Sequence, residues 1–477
     1  MKKLTLLLLL ALFSTGAYAT HLMGGEITAK KLATGKYRIT LSYYRDRIGV
    51  PLATSETVDI YAASGVGIGS YGLLYSNVLL KFDSAQSQAL VPSFPYGVET
   101  GIYTSDTVNL PTGGVFRIIS STCCRNGAIL NAANPLGENL VLYTDITTTG
   151  GNSTPEFLAM PIAHFAVGTT TTYNPLPFDP DLDSIAWDYN TPMGTYTTSG
   201  GPSMLAVGGF VPLQSTSAFS MNPVTGEVTW TPTVTSNFIE SFKVMEYKAG
   251  VLSGMIIRDM QYVVVPPDTT NPPPNFAMVS SYMVNTQQQY NYIYYTPGQQ
   301  VFFQIKATGT GSASTISMHS YGETYQMATP SVFAVAGSGN SVTGTFKWTP
   351  DQNLNRDVIV IFRAGNGQFT KDFTLVLKKN PVASGVKTAG NNNIASFQVY
   401  PNPAREKLSV SLDITTATRG KILIYNTIGQ VVTTVYDGLL HKGTMRLTAP
   451  VDLPAGNYFV VLKDAGGTVA TKGVVVQ

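Results

Sequence analysis

Gly344-Thr345-Phe346-Lys347-Trp348-Thr349-Pro350 restates, far downstream, the stretch Gly226-Glu227-Val228-Thr229-Trp230-Thr231-Pro232. Each copy is a short β-type run that ends on an aromatic anchor and is then stopped by proline, which cannot donate to a strand ladder. A second echo follows at the same remove, Phe362-Arg363-Ala364-Gly365 after Glu246-Tyr247-Lys248-Ala249-Gly250. Two modules of one plan are expected, residues 151–267 and 276–380. Trp230 and Trp348 occupy the same place in both copies, so they are assigned to folding and not to a ligand.

Working outward, Asp268–Asn275 is a Pro-rich spacer expected to be extended, and residues 381–394, rich in Gly, Ala and Asn, read as a flexible linker. Upstream, residues 20–150 form an N-terminal β module. Its Lys36–Tyr43 run alternates, Tyr37, Ile39, Leu41 and Tyr43 against Lys36, Arg38, Thr40 and Ser42, which is the period of a half-buried strand. Further strands are expected at Glu56–Ala62, Leu79–Phe82, Thr107–Leu110 and Val115–Ser120. Downstream, residues 395–477 carry short β runs at Lys407–Leu412, Lys421–Tyr425, Gln430–Tyr436, Asn457–Leu462 and Val474–Gln477. No long segment has an amphipathic helical period. The expected fold class is all-β: tandem β-sandwiches with a small C-terminal β-sandwich.

Three resemblances follow from particular residues. The order Tyr400-Pro401-Asn402-Pro403, Ile424-Tyr425-Asn426 with Gly429, Leu453-Pro454-Ala455-Gly456-Asn457-Tyr458 and a final strand with Lys472 resembles the type A C-terminal sorting domain of the type IX secretion system of Bacteroidota. That resemblance implies recognition by the secretion machinery, passage across the outer membrane, removal of the domain, and cargo left on the cell surface or released. Phe178-Asp179-Pro180-Asp181-Leu182-Asp183 with the Trp230 stretch resembles cadherin-like and Ig-like repeats of bacterial surface proteins. Thr20-His21-Leu22-Met23-Gly24-Gly25-Glu26-Ile27, Tyr43-Tyr44-Arg45-Asp46 and Cys123-Cys124-Arg125-Asn126-Gly127-Ala128-Ile129-Leu130-Asn131 resemble N-terminal modules of surface proteins described as gliding-motility-associated. The extra cysteines common there are absent, so no disulfide pairing carries over.

Composition bounds the partners. Lys2-Lys3, the apolar Leu4–Phe13 and Ala17-Tyr18-Ala19 before Thr20 read as a signal peptide over residues 1–19, cleaved between Ala19 and Thr20 and leading through the periplasm to the cell exterior. The formal charge is +2, and loss of Lys2 and Lys3 brings it to zero (2 − 2 = 0). Charged residues make up 12% of the chain, about half the usual share, which offers nucleic acid no basic patch. Beyond the signal no apolar run approaches the length of a transmembrane helix. The two cysteines are adjacent, and a vicinal disulfide, a link to another chain or two free thiols are all compatible with Cys123-Cys124.

The candidate chemistry is sparse. Asp179, Asp181 and Asp183 stand at alternate positions in a turn-forming stretch, which suits either a calcium site with oxygen ligands or plain solvated turn carboxylates. Leu182 takes the place where relatives of that resemblance carry glycine. Gly67-Ile68-Gly69-Ser70-Tyr71-Gly72 matches a dinucleotide fingerprint by letters, but no helix follows it. His21, His164, His319 and His441 are scattered over separate modules, and nothing singles out Glu156, Asp188, Glu240 or Glu246 as a catalytic pair. Tyr290, Tyr292, Tyr294 and Tyr295 fit sugar stacking or strand propensity equally well. The expectation is a secreted, non-catalytic structural or adhesive surface protein with a glycan or protein ligand, and the alternative is a carbohydrate-binding protein or accessory part of a glycan-degrading system.

Overall fold

The computed structural model describes residues 22–380 and 394–477, except 48, 68–70, 88, 91–96, 200–201, 216–217, 280–289, 313, 427–428 and 465–466. The segment expected to be a signal peptide, its expected Ala19/Thr20 cleavage point, His21, Ile68 to Ser70 and nearly all of the segment 381–394 lie outside the described residues. The fold is all-β, and among the described residues the only helical pieces are 3-10 turns at Pro135–Gly137, Leu213–Ser215 and Glu323–Tyr325. The chain divides into two compact units, residues 1–379 and 380–477.

In the first unit the alternation of Lys36–Tyr43 is borne out in space. Tyr37, Ile39, Leu41 and Tyr43 are each fully buried, packed with Ile27, Ile60, Leu80, Ile118 and Leu142. The strands Leu22–Ala33, Lys36–Asp46, Val98–Ser105, Tyr71–Phe82, Ser55–Ala63, Val115–Cys123 and Asn139–Thr147 pair in that spatial order. A strand from much later in the chain, Val251–Val265, then pairs with both ends of the series, at Gly25↔Asp259 and at Ile256↔Thr144. The series therefore closes into a ring around its apolar core, and closure removes the free edges that an open sheet would expose.

Hydrogen bonding thus runs across the module boundary placed at 150/151. The same 15-stranded sheet continues through Ser236–Lys248 to Ser184–Asn190. The motif residues near the N-terminus and after the cysteines make the crossing possible. A Cβ on Gly24 would stand 2.4 Å from Asp259 O and one on Gly25 2.3 Å from Ser42 O, so the close approach of the strands requires glycine at both positions. Glu26 pairs with Arg258 at 3.1 Å, and Arg125 grips Asp259 through Nη1 at 2.8 Å and Nη2 at 2.7 Å, all four side chains buried. Asn131 completes the seam. Its Nδ2 donates to Ile239 O at 2.8 Å and its Oδ1 accepts from Ile239 N at 2.9 Å.

Cys123 and Cys124 are joined to each other by a disulfide across a cis peptide bond. They end the strand Val115–Cys123, where Leu22 N donates to Cys124 O at 3.0 Å.

The second module packs the small sheet Thr171–Tyr173, Val228–Thr231, Ala218–Met221 against the large sheet. Trp230 is 2% exposed and sits among Phe165, Phe219, Phe238 and Tyr262. The third module repeats the plan with two four-stranded sheets. One orders Asn275–Met278, Val301–Thr308, Ser341–Trp348, Val332–Ser338, and the other Asn291–Tyr295, Thr370–Lys379, Val358–Gly365, Ser317–Gly322. In both copies an early strand lies parallel to the last, Ile162–Ala166 beside Val251–Val265 and Asn291–Tyr295 beside Thr370–Lys379. Trp348 is buried as Trp230 is, with Nε1 donating to Thr329 O at 3.0 Å. The two copies meet at a polar seam. Arg363 Nη2 donates to Asn174 O at 2.8 Å, and Thr374 N donates to Glu227 Oε2 at 3.1 Å.

The second unit is a sandwich of Ile394–Tyr400, Lys407–Ile414, Gly443–Pro450 against Val431–Leu440, Thr418–Asn426, Gly456–Asp464, Gly467–Val476. Leu408, Val410, Leu412, Ile422, Val460 and Leu462 fill it. Two of these strands, Ile394–Tyr400 and Gly443–Pro450, are additional to those expected from sequence. Among the described residues no helix is long and apolar enough to cross a membrane.

Candidate functional site

The sorting-type motif residues come together around the last strand. Both the Tyr400-Pro401 and Asn402-Pro403 bonds are cis. Asn402 then reaches the far end of the chain, its Nδ2 donating to Gly473 O at 3.1 Å and its Oδ1 accepting from Val475 N at 2.8 Å. Ala404 extends the clasp with its N–H to Val475 O at 2.7 Å and its carbonyl accepting from Gln477 N at 2.9 Å. Gly429 closes the turn after Asn426 at φ 80°, a conformation glycine adopts without steric cost. Tyr458 is buried, with its hydroxyl donating to Pro454 O at 2.9 Å, next to Gly456 at the start of the strand Gly456–Asp464. Lys472 is exposed, opposite Val460. The motif thus splits into residues that build the sandwich and an exposed rim formed by residues 400–403 and Lys472.

The aspartate triplet is not brought together as a set. Asp179 Oδ1 accepts from Asp181 N at 2.9 Å and Asp183 N at 3.0 Å, which curls the loop. Leu182 holds φ 62° in that curl, the left-handed conformation that explains why glycine suits this place. Asp181 turns away to accept from Ser153 N at 2.6 Å. In its stead Glu246, from the strand Ser236–Lys248, joins Asp179 and Asp183, with one carboxylate oxygen of each within 4.8 Å of the others. Burial is the first cause of a carboxyl pushed up to about 7 at Asp179 and about 8 at Glu246, and the neighbouring carboxylates add to it. Asn152 Nδ2 donates to Glu246 Oε2 at 2.8 Å, and Ser253 Oγ to Glu246 Oε1 at 3.2 Å.

The remaining sequence candidates disperse. His164 lies at the seam between the second and third modules, Nδ1 at 3.2 Å from Gln368 O, where burial lowers it to about 4. His319 is on the strand Ser317–Gly322, and His441 belongs to the other unit. Asp188 pairs with Lys243 at the surface, away from Glu246. Tyr295 packs into the core, whereas Tyr290, Tyr292 and Tyr294 line up on the other face of their strand, with ring centres 6.1 and 5.5 Å apart in turn and Lys378 Nζ over the first two, and Tyr294 is the exposed end of that row.

Glu240 is fully buried and accepts from Leu213 N at 3.0 Å. Burial first, and Asp259 nearby, push its carboxyl up to about 8. A folded-state value above that of the unfolded chain means the native state holds the proton more tightly. The group's contribution is therefore complete below the unfolded value of about 4.3 and is lost as pH rises through about 8. Glu240→Gln, which keeps the acceptor, is expected to raise stability by about 1–3 kcal/mol at about pH 9 and to change little at about pH 4. Urea midpoints at the two pH values measure this, and an equal effect at both would count against it.

Comparison with known proteins bears on these sites. Residues 398–477 match the model of the secretion system C-terminal sorting domain. The C-terminal unit is a sorting domain. Such a domain directs its chain to the type IX secretion machinery and on to the outer surface or the extracellular space. No curated protein matches the chain. Among solved structures, the titin I-band fragment I67–I69 is 11% identical, with 68% of this chain and 97% of that one covered and a TM-score of 0.16. SGBP-B of the Bacteroides ovatus mixed-linkage glucan utilization locus, solved with a mixed-linkage heptasaccharide, is 13% identical, with 68% of this chain and 71% of that one covered and a TM-score of 0.17. An endo-fucoidan hydrolase of glycoside hydrolase family 107 is 14% identical, with 69% of this chain but 44% of that one covered and a TM-score of 0.18.

Proposed function

We propose that the chain is a non-catalytic structural or adhesive protein displayed at the cell surface, with residues 22–379 as the working part and the sorting domain as the means of delivery. The sorting domain supports the display part of this reading. It is supported by a first unit in which every module is built on strands and joined to the next by buried or polar seams, an arrangement suited to holding a binding face in place. Carbohydrate binding is the second reading. It draws on a recess of ≈ 660 Å³ at one end of the third module, lined by Gln300, Lys347, Asp351, Gln352 and Asn353 among others, groups that hydrogen-bond polyols.

Surface proteomics of cells expressing the full chain and a form lacking residues 400–477 tests the delivery. Surface display is expected to fall at least about tenfold on deletion, against a specific interaction typically worth more than 1.4 kcal/mol. Undiminished display would refute it. Turnover of a polysaccharide or peptide panel by the purified chain would overturn the non-catalytic assignment, and selective glycan-array binding without turnover would favour the second reading.

A further inference from the structure

We propose that Asp179, Asp183 and Glu246, together with Asn152, form a binding site for one hard divalent cation, calcium by the chemistry of its donors. The three carboxylates come from two segments, the curled loop after Phe178 and the hairpin of Ser236–Lys248 with Val251–Val265, and their oxygens converge within 4.8 Å. Glu246 is 0% and Asp179 4% exposed, and neither Asp179 Oδ2 nor Asp183 Oδ2 accepts a hydrogen bond. Three carboxylates at such spacing repel one another strongly out of water, and a cation bound among them relieves the repulsion while keeping all three ionised.

A second observation lies outside the acidic cluster. Asn152, on the segment that leaves the N-terminal ring, is 0% exposed, touches Glu246 through Nδ2, and has an Oδ1 with no partner. A flip of that amide exchanges its two ends and turns an oxygen toward the carboxylates at the cost of one hydrogen bond. The positive group facing the cluster is Lys248, whose Nζ stands 3.7 Å from Asp183 Oδ2, and its side chain is 40% exposed, so it screens the rim and not the interior. Gly254 gives Glu246 its room: a Cβ there would lie 2.5 Å from Oε2.

All the donors are oxygens, in an irregular set drawn from side chains of a loop, a strand and a connecting segment. That favours calcium, which takes six to eight oxygens in flexible geometry, over zinc with its nitrogen and sulfur ligands or magnesium with its strict octahedron. A cation here joins three pieces of chain, the exit from the ring, the Asp179 loop and the hairpin that carries the ring-closing strand. Its role would be that of a staple at the junction of the first two modules. The inference stands apart from the adhesive reading and survives its failure.

The test is calorimetry of the full chain, stripped with chelator and titrated with calcium chloride or magnesium chloride, beside thermal melts in chelator and in about 10 mM of each cation. One calcium per chain and a melting temperature higher by about 5 °C are expected, with a weaker response to magnesium. Glu246→Gln and Asp179→Asn are expected to lose at least about tenfold in calcium affinity while melting, in chelator, no lower than the parent, because each removes a repelling charge. Asp181→Asn, outside the oxygen cluster, is expected to bind as the parent does. Absence of heat and of any melting shift with either cation would overturn the proposal. So would a Glu246→Gln protein that binds as the parent does, or a stability that responds to pH alone, which would mean protonated carboxyls in place of a cation.

Discussion

Arg125→Met is expected to lower the stability of the first unit by about 3–5 kcal/mol, read as a shift in the urea midpoint. Arg125 and Asp259 are among the most deeply buried charges in the molecule, each side chain 1% exposed. Removing the guanidinium strands the Asp259 carboxylate where water cannot reach it. It also takes away the donors to Asn139 O and Met193 O, each 3.1 Å distant, so two carbonyls of the seam lose partners as well. The Coulomb term of a buried pair is partly cancelled by desolvation, so the large cost belongs to breaking the pair and not to the pair itself. A double change, Arg125→Met with Asp259→Leu, is therefore expected to be less damaging than the sum of the two single changes by more than about 1 kcal/mol. A cost below about 1 kcal/mol for Arg125→Met alone would show that the seam does not depend on this pair.

Trp230→Ala is expected to cost about 3–5 kcal/mol through lost burial and the cavity left behind. The indole lies 5.1 Å from Phe165, 5.3 Å from Phe238, 5.7 Å from Phe219 and 5.8 Å from Tyr262, ring centre to ring centre, and these rings cannot all close on the gap. The informative part is where the damage spreads. Tyr262 is on Val251–Val265, the strand that closes the N-terminal ring, so hydrogen exchange should speed up in Leu22–Ala33 as well as around the mutated site. Trp348→Ala makes a similar hole against Tyr295 but touches no strand of the ring, and exchange in Leu22–Ala33 should stay slow. Equal protection of Leu22–Ala33 in both variants would mean that the ring and the second module unfold independently.

Much of this architecture is legible from local pattern. The alternation at Lys36–Tyr43 and the two Trp-Thr-Pro endings report burial directly, because a strand's period of two needs no knowledge of partners. The ring is not legible in that way, since Gly25 and Asp259 pair across more than half the first unit, and only the run Gly24-Gly25-Glu26 marks a close approach without saying to what. The strand Gly443–Pro450 has an alternating face, Met445, Leu447 and Ala449 against Thr444, Arg446 and Thr448, but it is short and only half-buried, so its pattern is weak beside those of its neighbours. In the acidic cluster the loop carboxylates were visible as a triplet, but Asp181 is diverted to the backbone of Ser153. Glu246 had a signal of its own. It continues the alternate positions Phe242 and Val244, both fully buried, but Glu240 stands on the same face, so the pattern marks two buried carboxylates without telling which one joins the cluster.

The strand that closes the ring also sets a timetable. Leu22–Ala33 emerges early from a ribosome or a translocation channel, and its partner Val251–Val265 more than two hundred residues later. Until then both rims of the unfinished series are unpaired edges, and long-range pairing of this kind is slow to form. Residues 22–150 therefore lack the strand that closes their ring until Val251–Val265 has followed, and the ring is expected to complete only together with the second module.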